Sequence, residues 1–348
     1  MKKKILIVNS SNYIRNFSIN NYLKKKYFVK EINFFGNFFI KNLKLLKIIF
    51  CKFDLILINW NTWSSFFTIF FINLFKNKPI IYDAFTLIHE DYLDNTNKKN
   101  IFKNKLYKII EKLIYLKSDI ILTDTEIHKK SILKVLKFKK KIYSINVSQK
   151  KLTLKNTKNK SKDKSKIYIV HAGANRKAHN VLKIINLIYK LPHNLKKKIN
   201  LTLITPDYYS IYKKLVFKLK LEKNISLINF VNYRKYLNII YHSDICMGLF
   251  GKTKKAQSTI SNFIVTATNL GKVIVTKETL ASKKYLIDNP GVILLKEPQE
   301  YYFLQFINKY ISSLNYRKSL KNKSKKVYLN NFQINKNYSK LDSIINNI

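Results

Sequence analysis

Gly248-Leu249-Phe250-Gly251-Lys252-Thr253-Lys254-Lys255-Ala256-Gln257-Ser258-Thr259-Ile260-Ser261-Asn262, a helical stretch through Leu270, and then Gly271-Lys272-Val273-Ile274-Val275-Thr276 form the segment on which the fold turns. It starts from one apolar, β-branched run, Ile245–Leu249, and ends in another, Val273–Thr276. Strand, helix and strand in that order make a parallel βαβ unit. Gly248 and Gly251 let backbone approach a ligand at the strand end, and Gly271 suits a left-handed helix C-cap. Ser261 or Asn262 is the expected cap of the helix, which would aim its N-terminus at an anion.

The same rhythm extends outward. Lys166–His171, Leu201–Ile204, Ile225–Phe230 and Val292–Leu295 are further strand candidates in the second half, and Ile5–Val8, Leu55–Ile58, Pro79–Tyr82 and Ile120–Thr123 in the first, with helical stretches between. Between the halves Gln149–Lys166, QKKLTLKNTKNKSKDKSK, has too few apolar residues to offset the entropy of ordering. The expected organisation is a domain over 1–148, a linker over 149–166, a second domain over 167–330 and a tail over 331–348. The stretch from Glu300 onward is expected to be helical at first and to cross back onto the first domain. At 348 residues and 46% hydrophobic the chain has the size and material for two cores. The fold class is therefore α/β: two Rossmann-like domains with parallel sheets, with a cleft where the C-terminal ends of the sheets face each other.

Charge narrows the functions. The formal net charge is +48, yet nearly all of it is Lys, with Arg only at Arg15, Arg176, Arg234 and Arg317. Arg is the residue favoured for bidentate recognition of bases, so specific nucleic-acid binding is not expected. A surface this positive attracts anionic lipid headgroups, and peripheral contact with an anionic membrane is an expectation. Cys51 and Cys246 are too few for a disulfide framework or a cysteine zinc site, which fits a cytoplasmic location. Only Ile5–Val8 is apolar near the start, too short for a signal-peptide core, and the clean part of the most apolar window, Phe66–Phe75, is too short to span a bilayer.

Glycine signatures exclude two common chemistries. Asn9-Ser10-Ser11 stands after the first strand in place of G-x-G-x-x-G, and G-x-x-x-x-G-K-[ST] is absent, against both NAD-dependent oxidoreduction and phosphate-loop hydrolysis. A second loop, Gly173-Ala174-Asn175-Arg176-Lys177-Ala178-His179, joins strand Lys166–His171 to a helix capped by Asn180. It is either a diphosphate cradle with Arg176 and Lys177 beside the helix N-terminus or an ordinary strand-to-helix turn. Acidic residues are few. Asp83, Glu90, Asp91 and Asp119 gather in the first half, with His89 beside Glu90 as a proton carrier, an acceptor contact or a plain loop residue. Asp124-Thr125-Glu126 only approaches an Asp-x-Asp metal motif and reads as a helix start. No metal and no cofactor are expected.

The segment Asp244–Thr276 resembles the bacterial family 4 glycosyltransferases. In that family "GIFG", "KAQ", "IPNK", Glu-Ala-Leu and "GKPVIT" run in order; here they stand as Gly248–Gly251, Lys255–Gln257, Ile260–Phe263, Thr266–Thr268 and Gly271–Thr276. Lys78–Phe85 resembles the family's "KPVVxDAF", Ser118–Glu126 its "ADLVLTDT", and Gly173–His179 its "G…HG" loop. The resemblance implies a GT-B architecture: two facing Rossmann-like domains, a nucleotide-sugar donor in the second and a glycan or lipid-linked acceptor in the first, with the anomeric configuration retained. The candidate donor contacts are Gly173, Arg176, Lys177, His179, Gly251, Lys252, Ser258, Asn262 and Thr266; the candidate catalytic residues, taken from the few acids and the histidine of the first half, are His89, Asp83 and Glu90. The family's Glu-x7-Glu pair falls on Ser258 and Thr266, whose hydroxyls lack a carboxylate's charge-assisted grip on a sugar. A member that binds nucleotide or glycan without transfer is the alternative.

Overall fold

The computed structural model describes every residue except 1, 10–13, 34–43, 45–47, 49, 60–68, 71, 76, 97–99, 137–138, 154–162, 164, 175, 207–208 and 288. Most of the expected linker, the Ser10-Ser11 pair and much of Phe66–Phe75 therefore lie outside the described residues. Among those described, no helix is long and apolar enough to cross a membrane.

The chain divides into two compact units, Met1–Lys150 with Gln333–Ile348, and Lys151–Phe332. The first is built on β1 (Lys4–Asn9), β2 (Phe28–Asn33), β3 (Leu55–Asn59), β4 (Ile80–Asp83), β5 (Ile120–Thr123) and β6 (Lys141–Ser144), in the order β2-β1-β3-β4-β5-β6. Every pairing is parallel, with Ile5 opposite Leu55, Ile56 opposite Ile80 and Ile81 opposite Ile120. Alternate residues of the central strands feed two cores. Leu6, Val8, Ile56 and Ile58 pack with Ile110 and Ile114 on one face, while Ile5, Ile7, Leu55 and Leu57 pack on the other. Burial on both faces is why these strands read as unbroken apolar runs.

The last helix, Ile334–Asn346, belongs to this first unit and covers the second face with Tyr338, Leu341, Ile344 and Ile345. Asp342 fastens it by accepting from Tyr22 Oη at 2.6 Å and pairing with Lys26. The edge strands β2 and β6 were not among the apolar runs. In β2, FVKEIN, only Ile32 is buried, because an edge strand has one neighbour and keeps most of its residues toward water.

The second unit holds β7 (Ile167–Ala172), β8 (Ile199–Ile204), β9 (Ile225–Ile228), β10 (Ile245–Met247), β11 (Val273–Lys277) and β12 (Val292–Leu295), in the order β12-β11-β10-β7-β8-β9. All pairings are again parallel. One core face joins Ile169, Leu201, Leu203, Ile245, Met247, Val273 and Val275 to Ile184, Ile185 and Ile188 of helix Val181–Tyr189. The chain winds from β7 outward to β9, then returns to lay β10, β11 and β12 on the other side. The strand order therefore reverses between β7 and β10, whose carboxyl ends bound the crevice where open parallel sheets take ligands.

Candidate functional site

The loops after β7 and β10, which sequence reading had treated as two separate candidates, meet at this reversal point. Phe250 N–H donates to His179 O at 3.3 Å and Gly251 N–H to Ala178 O at 2.9 Å. On the far side, Gly248 N–H donates to Val275 O at 2.8 Å, Leu249 N–H to Thr276 Oγ1 at 3.0 Å, and Thr276 Oγ1–H to Leu249 O at 2.9 Å. The Gly248–Gly251 loop is thus sewn between the Gly173–His179 loop and the end of β11.

This packing requires the glycines. A Cβ on Gly251 would lie 2.2 Å from Lys177 O, on Gly248 2.7 Å from Thr276 Oγ1, and on Gly173 2.1 Å from His179 Nδ1. Gly271 has φ +70°, the left-handed C-cap conformation, and Lys272 N–H reaches back to Ala267 O at 2.9 Å.

Two helices begin at the crevice. Asn180, itself at φ 48°, caps Val181–Tyr189 by accepting from Lys183 N–H at 3.3 Å. Ser261 caps Asn262–Asn269 by accepting from Ile264 N–H at 3.3 Å. In each, capping leaves other first-turn N–H groups and the positive end of the dipole at the strand ends. Asn262 stands at the first position of its helix with a buried Oδ1 that has no hydrogen-bond partner. Cations surround these termini: Arg176 half-buried, Lys177 exposed, and Lys252 exposed with Glu297 3.9 Å away. Lys277 pairs with Glu297 at 3.1 Å; burial would raise that carboxyl, but the bond to Lys277 holds it below its ordinary range.

His171 and His179 form the floor. Their rings stand edge to face, 5.4 Å between centroids, and His171 meets Phe263 at 5.9 Å. His171 Nδ1 donates to Met247 O at 2.7 Å, which leaves its buried Nε2 without a partner, as is His179 Nδ1. Burial pushes His171 down to about 4 and His179 well below the usual histidine range, the latter helped by His171, Arg176 and Lys255. Both rings are neutral at pH 7, because a charged imidazole here would have no water to solvate it. His171 had gone unremarked in the sequence; its signal is a polar residue closing the buried run Ile167–Ala172.

Ser258 and Thr266 are buried, and each hydroxyl turns back onto its own helix. Ser258 Oγ donates to Lys254 O at 3.0 Å, and Thr266 Oγ1 to Asn262 O at 2.9 Å. Such back-bonding is the usual habit of helical Ser and Thr.

In the first unit, Asp83 is fully buried and accepts two bonds from Arg15, Nε to Oδ2 and Nη2 to Oδ1, each 2.8 Å. Arg15 also donates to Ile145 O at 2.5 Å. Both carboxylate oxygens are therefore engaged in tying a helix to the sheet. His89 and Glu90 open helix Ile88–Asn95, where Glu90 and Asp91 favour the positive helix end. His89 Nδ1 lies 2.6 Å from Oε2 of Glu111, a fully buried carboxylate whose Oε1 accepts from Ile88 N–H at 2.8 Å and Tyr115 Oη at 2.6 Å. That contact orients the His89 ring through Nδ1. Asn9, Asn33 and Asn59, at the ends of β1–β3, and Asn20 of helix Ile14–Lys24 form a mesh of side-chain amide bonds. No group of three or more His, Cys, Asp and Glu residues placed to hold a metal occurs among the described residues.

No protein-family model matches the chain, and no curated protein matches it. Solved structures do. A sucrose-phosphate synthase from Thermosynechococcus elongatus aligns with TM-score 0.75 at 10% identity over 99% of both chains. HepE of Anabaena in complex with UDP and glucose aligns at 0.72 and 11% identity, over 99% of this chain and 100% of that one. A glycosyltransferase from Rickettsia africae aligns at 0.68 and 16%, over 99% and 97%. What the chain shares with them is the double-Rossmann, GT-B fold.

Proposed function

We propose that the chain is a glycosyltransferase that moves a sugar from a nucleotide-sugar donor to a glycan or lipid-linked acceptor in the cytoplasm, without a metal and with retention. The observation that carries this reading is the joining of the Gly173–His179 and Gly248–Gly251 loops at the reversal point of the second sheet, with two helix N-termini and Arg176, Lys177 and Lys252 around it. Leaving-group departure builds negative charge on the diphosphate, and preorganised N–H groups and cations stabilise that charge more than they stabilise the bound donor. Among the neighbours, HepE was solved with UDP and glucose and a glucosyltransferase with UDP, which supports a UDP-sugar as donor and UDP as leaving group. His89, held by Glu111, offers Nε2 to the acceptor hydroxyl.

The reading is tested by nucleoside diphosphate release over a panel of donors and acceptors, with and without chelator. Arg176→Ala and Lys252→Ala should each lower turnover by roughly 10-fold or more, the value of a lost charge-assisted contact. Turnover that neither change touches would remove the phosphate site from this loop pair.

The back-bonded hydroxyls of Ser258 and Thr266 favour a second reading, a nucleotide or glycan binder without transfer. Donor binding seen by calorimetry, with no diphosphate released for any acceptor, would select it.

A further inference from the structure

The helix Ile101–Lys117 has two unlike faces. Its inner face is fixed: Ile110, Glu111, Ile114 and Tyr115 are buried, with the Tyr115 ring 6.0 Å from that of Tyr82. Its outer face leaves large apolar side chains in the open: Ile101 83%, Phe102 78%, Ile109 52%, Leu113 39% and Leu116 41% exposed. At 3.6 residues per turn, Phe102, Ile109, Leu113 and Leu116 fall within an arc of about 60°, and Lys105, Lys108 and Lys112 lie within a similar arc alongside. All three lysines are exposed, and the helix's one acid, Glu111, points inward.

Isolated exposed apolar residues need no explanation, but a contiguous stripe held rigidly on one helix marks an interaction surface. Its chemistry selects the occupant. A protein groove would complement the apolar stripe, whereas a row of cations parallel to it, with no acid interspersed, complements a surface that is apolar at depth and anionic on top. Lysine stems can lie along the apolar boundary while their ammonium groups stay among headgroups.

We propose that this outer face docks on an anionic lipid bilayer, helix axis in the membrane plane, with Phe102, Ile109, Leu113 and Leu116 entering the acyl boundary. Lys105, Lys108 and Lys112 pair with headgroup phosphates. The proposal does not depend on sugar transfer, and its test uses no donor.

Flotation of the full chain with vesicles of phosphatidylglycerol and phosphatidylcholine, against phosphatidylcholine alone, measures it. Three triple variants accompany the parent chain: Phe102→Ser/Ile109→Ser/Leu113→Ser, Lys105→Glu/Lys108→Glu/Lys112→Glu, and, as a control of equal charge on an exposed helix of the other unit, Lys213→Glu/Lys214→Glu/Lys218→Glu. Thermal melts select variants that fold, and either of the first two suffices alone. Binding to the anionic vesicles only, weakened at least 10-fold by both helix variants and less than 2-fold by the control, is the expected result. Equal loss in charge variant and control with none in the serine variant would reduce the effect to overall charge. Absence of vesicle binding by the parent chain, or a dimer in gel filtration that the serine variant dissolves, would each overturn the proposal.

Discussion

Replacing Gly251 by alanine puts one methyl group into the junction on which the site depends. The added carbon would stand 2.2 Å from Lys177 O and 2.7 Å from both Ala178 Cα and Ala178 O. Ordinary contact needs about 3.5 Å, so the loops must part by about 1 Å. The obstacle is backbone on both sides and has no rotamer to yield. Separation breaks the Gly251 N–H to Ala178 O bond of 2.9 Å and stretches the Phe250 to His179 bond, already 3.3 Å. Overpacking costs about 1–3 kcal/mol and each lost hydrogen bond about 1 kcal/mol, giving a total of about 2–4 kcal/mol. The urea midpoint of the second unit should fall accordingly. On the proposed function, donor affinity should fall by at least 10-fold, because the N–H groups that would face the diphosphate move with the loop. Gly271→Ala is the comparison: it forces alanine into φ +70°, costs about 1 kcal/mol, and should leave donor affinity alone. Equal stability and affinity in Gly251→Ala and the parent would refute the claim that the two loops form one rigid site.

Four further outcomes follow from particular contacts. His171 has its proton affinity lowered by folding, to about 4 from the ordinary 6.5, so below pH 6.5 the unfolded chain binds a proton that the folded chain refuses. This part of the stability is complete above pH 6.5 and is lost as pH falls toward 4, by about 3 kcal/mol, and His171→Gln should flatten that slope in denaturant melts. Asp83→Asn leaves the Arg15 guanidinium buried without its counter-charge and should cost about 3–5 kcal/mol in urea unfolding; a loss under 1 kcal/mol would show the pair to be idle. Glu111→Gln should lower turnover by roughly 10-fold with KM little changed; unaltered turnover would free His89 from any role in the reaction. Ser258→Ala and Thr266→Val should leave donor affinity within about 2-fold, since Ser258 Oγ bonds Lys254 O and Thr266 Oγ1 bonds Asn262 O and meets Tyr236; a 10-fold loss in calorimetry would return them to the donor site.

The α/β class and the central strands were legible in the sequence because burial on both faces demands a run of β-branched residues wherever a strand sits inside a parallel sheet. The edge strand β2 was not, since FVKEIN meets no such demand. The two loops were legible as loops, from Gly173, Gly248, Gly251 and the cap residues Asn180 and Ser261. That they touch was not, because their junction is backbone to backbone, and no side-chain pattern records which carbonyl a glycine N–H will find. Gly251 also makes room for Ala178, a demand that its own segment does not record.

The sequence by itself determined a rhythm of strands and helices, two cores, and a glycine-marked turn after each of the strands that bound the crevice of the second unit. Tertiary structure alone decided the partners. Arg15 chose Asp83 from 68 positions away, and His89 chose Glu111 from 22, in a chain with 67 basic and 19 acidic residues. Local pattern dictates the direction of a side chain through the period of the backbone, which is fixed within a few residues. An ion pair or a loop junction is fixed only when sheets close and bring distant segments within hydrogen-bond reach.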